Sequence, residues 1–478
     1  MNQGKVYLIG AGPGDPGLLT CRAKQLLAAC DVVCYDQLVS AAILSTIPDH
    51  VQLHQVGYRG YQGTHIDYGM HPDVLDFARQ GKQVARLKAG DPCIFGRTTE
   101  ECRDLKQNGI PYEIVPGITA ALGAAAYSGF PLTSAGMASA VTFVSGHKGS
   151  KALRALSRLG PDGGTFVLYM GAKKLAEHIR SLTESGTAKE TPIALISSAT
   201  SADHSCITAT LDTIVDAVEQ AGYTGPALVI IGEVVTLAQA LDWRSQLPLA
   251  GVRVLVCGQY GALSALRNAG AEVIAIEQMP VQSLIGREAL EQVASLPELG
   301  FSDLPAFNVW WRAVLANDWD IRRFPMPMGS DNRAVQKALR NVGIRPARLS
   351  EQAMTLTLSE AQALDDPARF YLAGRTVSEP QHYALPAVDW VLADNIAIYQ
   401  SIAQHHPESV QHAQLVPLNE AVRTWAQAHD KVTEPGVQPD WVGLDDSIEV
   451  SDLKEAGKLN AFAEPAEFAT SGACTDVV

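Results

Sequence analysis

An apolar, strand-like run, Val6-Tyr7-Leu8-Ile9, passes directly into Gly10-Ala11-Gly12-Pro13-Gly14-Asp15-Pro16-Gly17-Leu18-Leu19-Thr20. The glycines at 10, 12 and 14 carry no Cβ, so the backbone here can approach a ligand or a second backbone closely. A helix beginning after the turn would present N–H groups without intrahelical partners. Two readings follow. Either this is the ligand-binding end of a strand in an α/β sheet, or it is a tight strand-to-helix turn with no ligand.

The rest of the first half continues the alternation. Strand-like runs at 5–9, 31–35, 83–88, 141–145, 165–169, 192–196 and 226–231 are separated by helical patterns, which predicts an α/β fold. Several runs end in small or turn-forming residues, such as Ala89-Gly90-Asp91-Pro92 and Met170-Gly171. Ligands of open α/β sheets gather at the carboxyl ends of strands, so these turns are where chemistry is expected. Thr98 and Glu101 have capping-box spacing ahead of a helix expected over 100–108, with Gly109 as its stop. Arg97 then sits just before a helix N-terminus, either as a surface residue or as part of a site.

At 478 residues the chain is too long for one compact core. The pattern lapses over Asp242–Ala250 and restarts with Val252-Arg253-Val254-Leu255-Val256, which places the domain boundary there. We expect domains at 1–245 and 251–440, then an acidic, disordered tail over 441–478. Within the second domain Ala265-Leu266-Arg267-Asn268-Ala269-Gly270 recurs nearly letter for letter as Ala338-Leu339-Arg340-Asn341-Val342-Gly343. The recurrence is either a coincidence of good helix formers with a glycine stop, or the mark of two related lobes.

A net charge of −14 argues against binding nucleic acid through a general basic field, so an anionic ligand must meet locally placed arginines. The eight cysteines include no CxxC pair, which points to free thiols in a reducing compartment. There is no apolar run long enough to span a bilayer and no cleavable basic-apolar leader, so a cytoplasmic protein is expected.

Eight segments in order resemble the tetrapyrrole methylases over roughly residues 4–245. They are Gly10–Pro16, Val33–Val39, Arg86–Pro92, Ile94–Arg97, Val115–Ala121, Pro131–Thr133, Tyr169–Gly171 and Gly232–Val235. The match is to the branch that C-methylates uroporphyrinogen III to precorrin-2, for sirohaem and cobalamin. The resemblance implies a two-lobed, usually homodimeric fold that holds S-adenosylmethionine between its lobes. Carried over by position, the cofactor contacts are Pro13, Ala89, Gly90, Asp91, Ile94, Thr119, Ala120, Met170 and Ala199. A sulfonium with an amino-acid tail and a neutral adenine suits backbone amides and apolar side chains, not a basic phosphate cradle.

The resemblance also gives Asp36 as the proton acceptor, with a strand-end cap as its alternative, and Arg97 and Glu100 close to the substrate. Arg59 would pair with a substrate carboxylate or lie on the surface. The departures are specific. Tyr58 stands where the family has a lysine proposed as proton donor, Ser134-Ala135 replaces His-Arg, and Thr98-Thr99-Glu100 replaces Gly-Gly-Glu. His65 and His71 occupy the following loop without a third metal ligand, and no metal site is expected. His147 falls on a family position without an assigned role.

Residues 251–440 resemble a divergent two-lobed α/β uroporphyrinogen-III synthase-like domain. The Thr-Ser pairs usual at that cleft appear here as Phe307-Asn308 and Ala393-Asp394-Asn395. The resemblance implies a uroporphyrinogen-III synthase activity for this domain, with a non-catalytic domain that binds or channels the tetrapyrrole as the alternative. Three functions stay open for the chain: C-methylation of uroporphyrinogen III with the fused synthase-like domain, methylation of another tetrapyrrole, and binding of cofactor and tetrapyrrole without chemistry.

Overall fold

The computed structural model describes residues 4–56, 69–146, 163–223, 225–429 and 431. Tyr58, Arg59, His65, His147 and the 441–478 segment lie outside these residues.

The first apolar run is β1 (Lys5–Gly10); β2 (Val32–Tyr35), β3 (Gln52–Gln55), β4 (Gln83–Lys88) and β5 (Tyr112–Val115) join it in a parallel sheet ordered β3-β2-β4-β1-β5. Side chains alternate between two cores, as the period of a strand requires. Val6 and Leu8 pack with Val32, Val74 and Leu105 on one face, and Ile9 packs with Val33, Ile43 and Leu87 on the other. Helices α1 (Cys21–Ala29), α2 (Ala41–Leu44) and α3 (Pro72–Arg79) cover these faces.

The central strands β1, β2 and β4 coincide with expected runs, while β3 (Gln-Leu-His-Gln) and β5 (Tyr-Glu-Ile-Val) were not foreseen. Both are edge strands, where residues need not be apolar on both faces, so no apolar run announces them.

A second sheet contains β6 (Ala138–Ser145), β7 (Gly163–Tyr169), β8 (Pro192–Ser197), β9 (Ser205–Thr210) and β10 (Ala227–Ile231), in the order β6-β7-β10-β8-β9. β6 runs parallel to β7 and the remaining pairs are antiparallel. The two sheets are the expected two lobes of the first half.

The capping box is not formed. The helix α4 spans Thr98–Gln107, with Arg97 as its N-cap residue in the left-handed region (φ 57°) and no side-chain cap. The Thr98 hydroxyl donates to Pro92 O instead, and the Glu101 carboxylate turns inward to the Lys88 ammonium. A buried cation competes for a carboxylate more strongly than a backbone N–H does. α5 (Ala120–Tyr127) follows β5.

At the carboxyl end of the first sheet three glycine backbones meet. A Cβ on Gly10 would lie 2.6 Å from Gly117 N and 2.7 Å from Gly90 O, closer than any side chain tolerates. Gly12 and Gly90 exchange backbone hydrogen bonds of 3.1 and 2.8 Å. The glycine turn is thereby stitched to the turn after β4.

The second half has two four-stranded sheets and a two-stranded one. Its strands are β11 (Arg253–Cys257), β12 (Glu272–Ile276), β13 (Val281–Ser283), β14 (Leu299–Phe301), β15 (Met328–Gly329), β16 (Met354–Thr357), β17 (Phe370–Leu372), β18 (Gly374–Thr376), β19 (Trp390–Ala393) and β20 (Gln414–Pro417). One parallel sheet is ordered β12-β11-β19-β20, the other β15-β14-β16-β17, and the antiparallel pair β13–β18 lies where the chain passes between them. The repeated segments end one helix in each lobe, Leu263–Asn268 and Arg333–Asn341. Each is followed by a glycine of positive φ, 100° at Gly270 and 86° at Gly343.

The halves are packed together. Tyr383, from the second half, is buried in the core of the first sheet, and the Tyr35 hydroxyl donates to His382 O at 2.6 Å. Arg253, only 7% exposed, pairs with Asp203 at 2.6 Å and Glu272 at 2.9 Å. The link is ordered as well, because Asp242 Oδ1 accepts from Arg244 N and Ser245 N, and Arg244 donates to Ser201 O. Among the described residues the cysteines are free thiols, and no helix is long and apolar enough to cross a membrane.

His204 lies near the link, its Nε2 3.5 Å from Ser128 Oγ. Burial, reinforced by Arg244, lowers its pKa from 6.5 to about 4. Between those values the unfolded chain binds a proton that the folded chain does not, so stability falls as pH drops from 6.5 toward 4. Urea denaturation at pH 7 and pH 4.5 should show the loss, and His204→Asn should recover roughly 1–3 kcal/mol of the difference.

Candidate active site

The carboxyl ends of β1, β2 and β4 open into a cavity of about 280 Å³ between the two lobes of the first half. Pro13, Asp36, Ala89, Gly90, Asp91, Ile94, Arg97, Thr119, Ala120 and Met170 all line it. Residues separated by more than 150 positions in sequence thus converge, as the switch of strands to turns predicts.

Two expected residues do not line it. Ala199 packs against the core of the second lobe, beside Gly14. Glu100 is displaced by Glu101, since one residue turns a helix by about 100° and only one of two successive carboxylates can face inward. Tyr58 and Arg59 belong to the undescribed segment.

A chain of alternating charges forms one wall. Arg86 and Lys88 lie two apart on β4 and share a face, and both are 6% exposed. Arg86 donates to Asp36 Oδ1 at 2.6 Å, and Lys88 donates to Glu101 Oε1 at 2.7 Å. Arg86 Nε lies 3.3 Å from the same Glu101 oxygen. Burial works against the Arg86 charge, but Asp36 and Glu101 outweigh it and hold the guanidinium above its ordinary pKa. Burial, with the neighbouring Arg86, pushes the Lys88 ammonium below its ordinary value despite Glu101. With Oδ1 held by Arg86, Asp36 Oδ2 has no hydrogen-bond partner among the described residues, and the side chain stays 16% exposed toward the cavity.

The opposite wall is built from backbone and apolar groups. Asp91 folds its turn by accepting from Cys93 N at 2.8 Å and Gly117 N at 2.9 Å. The Tyr169 hydroxyl pairs with Thr119 Oγ1 at 2.7 Å and accepts from Ala121 N at 3.1 Å; burial raises its pKa, so it stays a neutral phenol. Phe95 packs on Tyr169 with ring centroids 5.0 Å apart. Phe95, Arg97 and Met170 all adopt positive φ, at 55°, 57° and 57°. Left-handed backbone at non-glycine residues costs about 1–3 kcal/mol each and gathers at functional sites.

Arg86, Lys88, Glu101, Tyr169 and Phe95 were not among the expected site residues. Arg86 and Lys88 had a readable signal, since two cations at i and i+2 in an otherwise apolar central strand must meet buried counter-charges. His71 also lines the cavity, and its Nδ1 accepts from Asp73 N at 3.2 Å as the cap of α3. Among the described residues no group of three or more His, Cys, Asp or Glu is arranged to hold a metal ion.

The glycine turn is not a phosphate cradle. Asp15, an anion, accepts from Gly17 N at 2.7 Å, and Thr20 caps α1 by accepting from Ala23 N at 3.2 Å. Of the cations on the cavity wall, Arg86 and Lys88 are already paired with Asp36 and Glu101.

Residues 5–215 match the family described as Tetrapyrrole (Corrin/Porphyrin) Methylases. The chain is 42% identical over 249 residues to a siroheme synthase of Stutzerimonas stutzeri, covering 52% of this chain and 54% of that protein. It is 45% identical over 242 residues to the siroheme synthase of Ectopseudomonas mendocina, covering 50% and 52%. The chain therefore spans about half the length of the curated relatives it matches. A solved structure of the uroporphyrin-III C-methyl transferase of Thermus thermophilus, complexed with S-adenosyl homocysteine, is 36% identical over 48% of this chain and 99% of that one, with a TM-score of 0.42.

The charged wall makes a testable prediction. Glu101→Gln leaves two buried cations with one carboxylate, and should destabilise the protein by about 3–5 kcal/mol. The double variant Glu101→Gln/Lys88→Met should recover most of that loss, and guanidinium denaturation of the four members of the cycle measures it.

Proposed function

We propose that the chain belongs, through residues 5–215, to the tetrapyrrole methylases that this segment matches, and that it is an S-adenosylmethionine-dependent C-methyltransferase that converts uroporphyrinogen III to precorrin-2. The observation that carries this reading is the convergence on one cavity of the family's cofactor positions and of Asp36. The fit to the cofactor rests on donor chemistry. A turn of small residues, Ala89-Gly90-Asp91, with Pro13, Ile94, Ala120 and Met170, suits a sulfonium and a neutral adenine better than a cradle of cations would. When bound, S-adenosylmethionine supplies an electrophilic methyl group.

The chain's own residues then position and deprotonate. Methyl transfer needs the pyrrole carbon held in line with the methyl group, so positioning supplies much of the rate. As the ring carbon gains its new carbon–carbon bond, the neighbouring bridging carbon must lose a proton. Asp36 accepts it, with Arg86 fixing Oδ1 and leaving Oδ2 for the proton. Arg97, with Arg59 from the undescribed segment, orients substrate carboxylates, and Tyr58 stands in the place of the family's proton donor. The proposed assembly is a homodimer through the first half, in the cytoplasm.

For the second half we propose a uroporphyrinogen-III synthase-like domain that binds tetrapyrrole without closing it. Phe307 is buried in the apolar core, and Asn395 caps the helix Ile396–His405 by accepting from Ala397 N at 3.0 Å and Ile398 N at 3.4 Å. Positions expected at a catalytic cleft are thus committed to packing and capping, which supports the non-catalytic reading.

Under anaerobic conditions, purified protein with labelled S-adenosylmethionine should place two methyl groups on uroporphyrinogen III. Asp36→Asn should lower that rate by roughly 10²-fold or more while S-adenosylhomocysteine still binds in calorimetry; full activity in this variant would remove Asp36 as the base. Given hydroxymethylbilane alone, the protein should form no uroporphyrinogen III beyond the uncatalysed background, and catalysed closure would overturn the non-catalytic reading of the second half.

A further inference from the structure

Behind the glycine turn, on the side away from the cleft, lies a second cavity of about 490 Å³ between the two halves of the chain. Gly14–Gly17 forms one wall, the helix Leu263–Asn268 and β12 form another, and the link contributes Trp243 and Arg244. Three cations line it: Lys24, Arg244 and Arg267. Among the described residues none of the three forms an ion pair.

The carboxylates on the same walls are committed elsewhere. Asp15 accepts from Gly17 N through Oδ1 and from the Tyr127 hydroxyl through Oδ2, each at 2.7 Å. Glu272 Oε2 accepts from Arg253 Nε and from Ala202 N, each at 2.9 Å. Arg244 is 7% exposed and spends one terminal nitrogen on Ser201 O at 2.6 Å. Arg267 Nε is buried with no hydrogen-bond partner among the described residues.

A buried guanidinium donor left unmade opposes folding, and Asp15 acts on Arg244 and Arg267 through space without pairing with either. In a chain with 37 basic against 51 acidic residues, such a concentration is not a by-product of general basicity. Burial also pulls both guanidiniums below their ordinary pKa, the direction that a bound anion would reverse.

We infer that this cavity between the halves is a binding site for a small polyvalent oxyanion, held through carboxylate or phosphate groups by Arg244, Arg267 and Lys24. The site is separate from the cleft lined by Asp36, and the inference does not depend on the methylase reading. A guanidinium offers its paired N–H groups equally well to either oxyanion. Lys24 stands at the exposed edge of the cavity on α1 and adds a point charge there.

The test uses the full chain in a low-salt buffer free of phosphate, titrated separately with citrate and with inorganic pyrophosphate. Calorimetry and the fluorescence of Trp243, which lines the cavity, follow binding. Saturable one-to-one binding of at least one probe is expected, and the probe that binds distinguishes a carboxylate ligand from a phosphate one. Arg267→Gln should weaken that binding by roughly tenfold or more. Without probe, its melting temperature should equal or exceed that of the unaltered protein, because an unpaired cation has been removed from the interior. If Arg267→Gln instead melts lower, Lys24→Gln decides, since an exposed side chain can be removed without disturbing the fold. Weakened binding in Lys24→Gln supports the site. The inference is overturned if neither probe saturates, if Arg267→Gln folds and binds unchanged, or if Lys24→Gln binds unchanged after Arg267→Gln has melted low.

Discussion

Two positive charges on one face of a central strand cannot be buried unless negative charge is brought to meet them. Arg86 and Lys88 impose that condition on the first half, and the surroundings of the cleft follow from it. Asp36 is drawn in from the end of β2, and Glu101 from the first turns of α4. Holding α4 by Glu101 positions the segment between β4 and α4, where Phe95 and Arg97 adopt left-handed backbone. The same pairing that lets β4 occupy the middle of the sheet also fixes one oxygen of the proposed base. Stability and chemistry here draw on one set of contacts.

The central strands were legible in the sequence because burial on both faces demands unbroken apolar runs, and β1, β2, β4, β8 and β10 fall within a residue or two of expectation. The edge strands β3, β5 and β9 were not, since polar residues such as Gln52, Glu113 and Thr208 sit at places where one side meets solvent or a loop. Local rules also failed where tertiary contacts outcompeted them. Thr98 and Glu101 have the spacing of a reciprocal cap, yet the pull of Lys88 on Glu101 lies outside any local window. The inward face of α4 is likewise set by where Lys88 lies, which turns Glu101 to the cavity wall. Ala199 lies beside the turn, its carbonyl oxygen close to Gly14.

The opening glycine turn has a double role. One side contributes Pro13 to the cleft, and the other contributes Gly14 to Gly17 to the cavity between the halves. Gly10 permits the first role by letting the backbones of Gly90 and Gly117 come within van der Waals contact of its own. The N–H groups of Gly17 and Ala23 are taken by Asp15 and Thr20 rather than left for a phosphate. What looked like a single ligand loop is a partition between two sites, with its glycines serving backbone packing as much as ligand approach.

Tyr383 gives the fusion of the two halves a particular character. Its ring belongs to the core under the first sheet, although it arrives on the chain some 140 residues after the link. Burying an aromatic of this size contributes on the order of 3–5 kcal/mol, a large share of the stability of a typical domain. The first half therefore completes its interior only when the second has been synthesised. Such a pair is not two cassettes on a string: separating them would leave a hollow in one partner and a stranded aromatic on the other.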